Sequence, residues 1–169
     1  MAIHDLNEFK ETLGDGIRGN KFKMIISLPN GVSGDSRTLS LMIKSFTLPA
    51  NATGTIDVNK SGRMFQLAGD GQLESPLSIV ALLNSSGSAG EAKKIADDWQ
   101  KATVTKTYSD YVGSAMVEVY KPNGIDIVLK YKITDLWMLN SGEIELDNDA
   151  TNALLTLPMT FSASSVEVV

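Results

Sequence analysis

The sequence contains no cysteine and a single histidine, His4. Without thiols there are no disulfide staples, no zinc–thiolate site and no cysteine nucleophile, and the chain suits a reducing compartment. A His-based metal site or a Ser–His–Asp triad would rest on His4 alone, which precedes the first predicted helix and reads as a surface residue. Long apolar runs are missing too. Fragments such as Met24-Ile25-Ile26 and Val80-Ala81-Leu82-Leu83 fall far short of a membrane span. The opening MAIHDLNEF lacks the basic-then-apolar order of a signal peptide. Positive charge is not in excess: 15 Lys+Arg stand against 20 Asp+Glu, a net charge of −5. That balance argues against a sequence-independent grip on DNA, which calls for a basic surface.

What is present is the make-up of one ordinary folded domain: 169 residues, 43 % apolar and 21 % charged, with no internal repeat. A short first helix is expected after Asp5, with Glu8 three residues on as in a capping box and Gly14 to end it. Phe22, Met24, Ile26 and Leu28 alternate at period two and predict a half-buried strand over 21–28. Pro29-Asn30-Gly31 stops it, with Gly31 expected in a left-handed turn. A second strand is predicted over about 37–48, with Leu39, Leu41 and Ile43 on one face. After Leu48-Pro49 comes a turn-rich arm over 49–63. It is long for a connection inside a compact domain, and loops of such length tend to be functional.

Strand character returns at 64–68 and 77–83, the latter with Leu77, Ile79, Ala81 and Leu83 on one face. The one long helix is predicted over 88–103. Ser88 and Glu91 make a second capping box, and Ala92, Ile95, Ala96 and Trp99 form an apolar stripe at i, i+3, i+4, i+7. Lys93, Lys94, Asp97, Asp98 and Lys101 take the opposite face, so one side should pack on a sheet while the other meets water or a polar partner. Strands over 113–121 and 125–135 flank Pro122-Asn123-Gly124, a tight hairpin turn. Glu143–Asp147 alternates as well. A last strand presents Ala153, Leu155, Leu157, Met159, Phe161 and Ala163 on one face, with Pro158 on the other suggesting an edge or an unneeded N–H. About eight strands in antiparallel hairpin order and one long helix make a mainly β, α+β subunit: a β-sandwich or barrel with a flanking helix.

No catalytic constellation emerges. Gly14-Asp15-Gly16-Ile17-Arg18-Gly19 matches a dinucleotide-binding pattern, but a helix precedes it and a strand follows, the reverse of what phosphate cradling needs. Asp147-Asn148-Asp149 begins like a calcium loop, yet position six lacks glycine and position twelve is Pro158. Glu143, Glu145 and Asp147 could be paired carboxylates for glycoside hydrolysis, but strand alternation yields such a row on any solvated face. The sequons at Asn51 and Asn84 carry nothing without a secretory signal. Trp99 and Trp137 read as core or interface anchors. The chain is expected to need no cofactor or metal and not to be an enzyme.

Several words in order carry a family resemblance. They are the strand after Arg18-Gly-Asn-Lys-Phe-Lys23, the strand ending Ser45-Phe-Thr-Leu-Pro-Ala50, and Leu67-Ala-Gly-Asp70. Next come the helix ending Ala96-Asp-Asp-Trp-Gln100, the hairpin after Tyr108, and Asp135-Leu-Trp-Met-Leu-Asn-Ser-Gly-Glu-Ile-Glu-Leu-Asp147. Each word is short, but together they resemble the inner tail tube family of contractile-tailed bacteriophages, from about Arg18 to Phe161. The leading helix and the tail 162–169 depart from that pattern.

The resemblance implies a single tail-tube domain over 1–169, with an N-terminal helix or arm at 1–20, an extended inter-ring arm at 49–63 and an outer helix at 88–103. Such subunits form hexameric rings whose inner strands join into one continuous barrel, and rings stack helically into a tube. The arm residues Ala50, Asn51, Thr53, Ile56, Val58, Lys60 and Arg63 would join rings. Lys93, Lys94, Asp97, Asp98 and Lys101 would face the tail sheath protein, while Ala92, Ile95, Ala96 and Trp99 pack inward. The implied partners are further copies of the chain, the sheath outside, the tape-measure protein and viral DNA in the lumen, and the baseplate and tail terminator at the ends. The implied location is the virion tail, assembled in the host cytoplasm. A tube protein of a phage-derived injection or secretion system, or a stand-alone β-sandwich binding module, remain the alternative readings.

Overall fold

The expected period-two segments become a strongly curved antiparallel sheet in the computed structural model, which describes residues 6–86, 89–149, 151 and 153–169. His4 and the predicted helix caps Asp5 and Ser88 lie outside the described residues. In chain order the elements are α1 (Leu6–Leu13), β1 (Phe22–Ser27), α2 (Ser36–Met42), β2 (Ile43–Thr47), β3 (Asn51–Lys60), β4 (Arg63–Leu73) and β5 (Leu77–Leu82). There follow α3 (Glu91–Thr105), α4 (Tyr108–Tyr111), β6 (Gly113–Tyr120), β7 (Ile127–Asn140), β8 (Thr156–Ser162) and β9 (Ser165–Val168).

Seven strands form the body, in the order β1-β6-β7-β8-β5-β2 with β9 on β7. Strand β7 belongs to both halves of this sheet. Its first half pairs with β6 and β9, and its second half pairs with β8. The change occurs at Asp135, which takes φ 53 and shifts the alternation, so that Ile133 is buried before it and Leu136 and Met138 after it. The Asp135 carboxylate accepts a hydrogen bond from Ser164 Oγ at 2.8 Å, tying the corner to the β8–β9 junction. The sheet curls until its two end strands approach. Phe22 on β1 and Phe46 on β2 meet edge to face at 5.0 Å, although no strand pairing joins them.

Helix α3 covers the concavity. Ala92, Ile95, Ala96, Trp99 and one further turn, Ala102, are buried against β7, β8 and α2. Trp99 lies fully inside, edge to face with Phe161 at 5.1 Å, and its indole N–H donates to the Tyr111 carbonyl at 2.7 Å. This is how a buried tryptophan keeps its one polar atom satisfied. Leu77, Ile79 and Ala81 of β5 and Leu157, Met159 and Phe161 of β8 complete the core.

Three expectations are corrected and a fourth is narrowed. Residues 36–42 form helix α2 rather than the start of a strand. Asp35 caps it, its carboxylate accepting from Arg37 N at 3.0 Å and from Thr38 Oγ1 at 2.7 Å. The Thr38 hydroxyl bond and then the Arg37 backbone bond hold the Asp35 carboxyl below its ordinary value. Of the supposed strand face only Leu39 is buried, and Leu41 is exposed. Residues 143–147 are irregular, not a strand. Of the two readings of Pro158, an edge or an unneeded N–H, the structure agrees with the second: β8 lies between β5 and β7, but its pairing with β7 begins at Thr160, so Pro158 lies beyond that ladder. Gly31 is not left-handed. It is needed because a Cβ there would run into the Asp110 carbonyl, to which its own N–H donates at 2.8 Å.

Candidate functional site

Beyond Pro49 the chain leaves the body. Strands β3 and β4 pair only with each other, in register from Asn51↔Leu73 to Lys60↔Arg63. Ser61 and Gly62, at φ 54 and 75, make the two-residue turn whose twist matches that of the strands. The segment predicted as a loop-like arm over 49–63 is therefore the first half of a hairpin over 51–73. At about 3.3 Å per residue its strands reach roughly 30 Å. Where Gly54 passes Gly69 the ladder is bulged, and a Cβ on Gly69 would lie 3.1 Å from the Gly54 backbone.

The two faces of this hairpin differ. Ile56 stands opposite Leu67, Val58 opposite Phe65, and Lys60 opposite Arg63, all on one face by the period of two. Thr55, Asp57, Asn59, Met64, Gln66 and Ala68 take the other. Ile56, Phe65 and Leu67 are 49–52 % exposed, although apolar residues on a finished surface are usually scattered singly. Of the arm residues, Ala50, Asn51 and Thr53 lie at the base, where Ala50 accepts from Glu74 N at 2.8 Å, while Ile56, Val58, Lys60 and Arg63 share the apolar, cation-tipped face. Phe65 and Leu67, beyond residue 63, carry half of that face's apolar side chains. The Ser61-Gly62 dipeptide was the signal that could have revealed the return strand.

On α3 the charged face divides. Lys94, Asp97 and Lys101 are exposed, but Asp98 is used internally: it accepts from Ser33 N at 3.0 Å and Ser33 Oγ at 3.3 Å. Lys93 pairs with Asp97 at 2.8 Å and donates to the Gly142 carbonyl at 3.2 Å. The capping box is replaced as well. Gly90 is the N-cap, and the Glu91 carboxylate accepts from Asp35 N at 3.1 Å, joining α3 to the start of α2.

A third surface is an open cleft of about 480 Å³ between residues 143–147 and 153–158. Glu143, Glu145 and Asp147 line it together with Leu146 and Leu154, which are 81 % and 75 % exposed. It is anchored by the turn after β7. Asn140 Oδ1 accepts from Gly142 N at 2.7 Å, and glycine is required at 142 both by its φ of 91 and because a side chain there would strike the Pro158 carbonyl. No group of three metal-ligating side chains occurs among the described residues.

No family model matches the chain. Two curated proteins do, each named tail tube protein gp19, from Enterobacteria phages T4 and T6. Each is 26 % identical, over 96 % of this chain and 97 % of the relative. The chain is similar to phage tail tube proteins along nearly its whole length. Its role is accordingly that of a structural tube component and not of an enzyme. Solved structures agree on the fold. A subunit of the sheath–tube complex of an extracellular contractile injection system, in the extended state, superposes with TM-score 0.68 at 11 % identity, covering 99 % of both chains. The tube-terminating cap of the anti-feeding prophage superposes with TM-score 0.64 at 13 % identity, over 100 % of this chain and 94 % of the other.

Proposed function

We propose that this chain builds the inner tube of a contractile phage tail, as stacked hexameric rings lined by one continuous β-barrel. The observation that carries the reading is sequence similarity to tail tube proteins along nearly the whole of both chains. Two features of the subunit support it. The end strands β1 and β2 each pair on one side only, with β6 and β5, which leaves an outer edge open on each, and closing a ring is a way to cover such edges. Apart from Leu73 at its base, which packs against the core, the hairpin over 51–73 has little packing with the rest of the described chain and extends roughly 30 Å, a shape suited to a contact with the next ring. Ala50, Asn51, Thr53, Ile56, Val58, Lys60 and Arg63 then belong to the ring-to-ring contact. The exposed part of α3, Lys94, Asp97 and Lys101, faces the tail sheath protein.

The lumen holds the tape-measure protein before infection and passes DNA afterwards, a passage that an acidic chain does not obstruct by binding. Baseplate and terminator proteins bound the tube, which assembles in the host cytoplasm and resides in the virion. A tube in a phage-derived injection system is the second reading, favoured by the fold match to the sheath–tube complex. Electron microscopy of the purified protein tests the tube itself. Six-fold rings or tubes are expected without any added cofactor, and a stable monomer at high concentration, even beside a tail initiator, contradicts the proposal.

A further inference from the structure

The hairpin needs a receiving surface, and the chain itself carries one of matching chemistry. Between Val58 and Gly69 the only charged residues are Lys60 and Arg63, and the register sets them directly opposite each other at the tip. Like charges in that position repel, so the pair is unfavourable in the isolated subunit. Neither makes an ion pair among the described residues. The cleft between 143–147 and 153–158 has the complementary character. Glu143, Glu145 and Asp147 line it, no cation does, and Leu146 and Leu154 stand largely in water. None of the three carboxylates takes part in an ion pair among the described residues.

We propose that the hairpin tip of one copy seats in this cleft of a copy in the adjacent ring. Lys60 and Arg63 lie against Glu143, Glu145 and Asp147, and Phe65 covers Leu146 and Leu154. The occupant is a second copy of this chain because one polypeptide supplies both halves: an apolar face ending in two cations, and an apolar cleft rimmed by three carboxylates. Such a pairing is heterologous, with different patches on the two copies, which is what stacking rings without closing on themselves requires. The charges fix direction and register, and the apolar contact supplies the burial. The inference rests on the tube reading and adds the surface on which the arm lands.

Charge reversal with rescue tests it. Lys60→Glu/Arg63→Glu and Glu143→Lys/Glu145→Lys should each fold with the parent's melting temperature, since all four side chains are exposed. Each should lower tube yield by about tenfold or more while leaving single rings, because two reversed charges meet like charges at every ring-to-ring contact and a tenfold change needs only about 1.4 kcal/mol per contact. The quadruple variant, with both reversals in one chain, should regain tubes. Tubes that form normally after the cleft reversal overturn the inference while leaving the tube reading intact. So does a quadruple variant no better than either double, which would mean that the cleft takes another occupant such as the exposed apolar face of α1. A parent chain that never assembles sinks both.

Discussion

The body and the hairpin are built from similar alternating strands, yet they put their apolar side chains in opposite places. In the body Leu77, Ile79, Leu157, Met159 and Phe161 are closed under α3, with Trp99 at the centre. In the hairpin Ile56, Phe65 and Leu67 align just as regularly and are left about half in water. A two-stranded hairpin without a packed face is marginal in water. The difference teaches that the subunit is finished in one region and unfinished in the other. Stability should therefore reside in the body and assembly in the hairpin, and substitutions should separate the two.

The largest expected effect comes from removing the unfinished part. Thr55 and Ala68 are register partners, so replacing residues 56–67 by Asn-Gly leaves a short hairpin of sound geometry. None of the deleted residues is buried. The subunit should melt as the parent does and form no long tubes. Normal polymerisation of this variant would break the division of labour outright.

Next in size is Trp99→Ala. Emptying a site that buries a whole indole and its hydrogen bond to Tyr111 should cost about 3–5 kcal/mol, out of the ~5–15 kcal/mol that holds a domain together. Tubes should be lost because subunits unfold, so a melt equal to the parent's would refute the packing of α3. A smaller contrast lies on the same helix. Asp98→Lys removes the acceptor of both Ser33 bonds and should cost about 1 kcal/mol. Lys94→Glu, fully on the outer side, should leave the melt unchanged and weaken only co-assembly with the sheath protein. Equal melts for the two variants would return Asp98 to the outer face, where charge patterning alone had put it.

Much of this comparison could be read in the sequence, and the exceptions have physical causes. Strands β1, β5, β6 and β8 and the stripe of α3 were legible because their apolar residues are large and closely spaced. Residues 36–42 misled because Leu39 and Leu41 alternate with Ser40 in strand fashion, while the deciding signal was the single cap Asp35. The carboxylates at 143, 145 and 147 alternate without any strand to pair with. The hairpin was only half recognised, since Ala52 and Gly54 are too small to announce a strand and its apolar face is spread over both sides of the turn. That face has no core to serve within the chain, so periodicity alone could locate it but not say what covers it. The bond from Asp98 to Ser33 could not be read in the sequence because that partner comes from a loop 65 residues away.

Hydrogen exchange measured on the same protein before and after assembly tests the central claim most directly. In dissociated subunits the amides of 51–73 should exchange fast while those of β5, β8 and α3 are protected, because little packing holds the hairpin. In tubes the hairpin amides should slow by at least about tenfold, with the body changed little away from its sheet edges. Tubes in which residues 56–67 exchange as fast as in the free subunit would contradict the account.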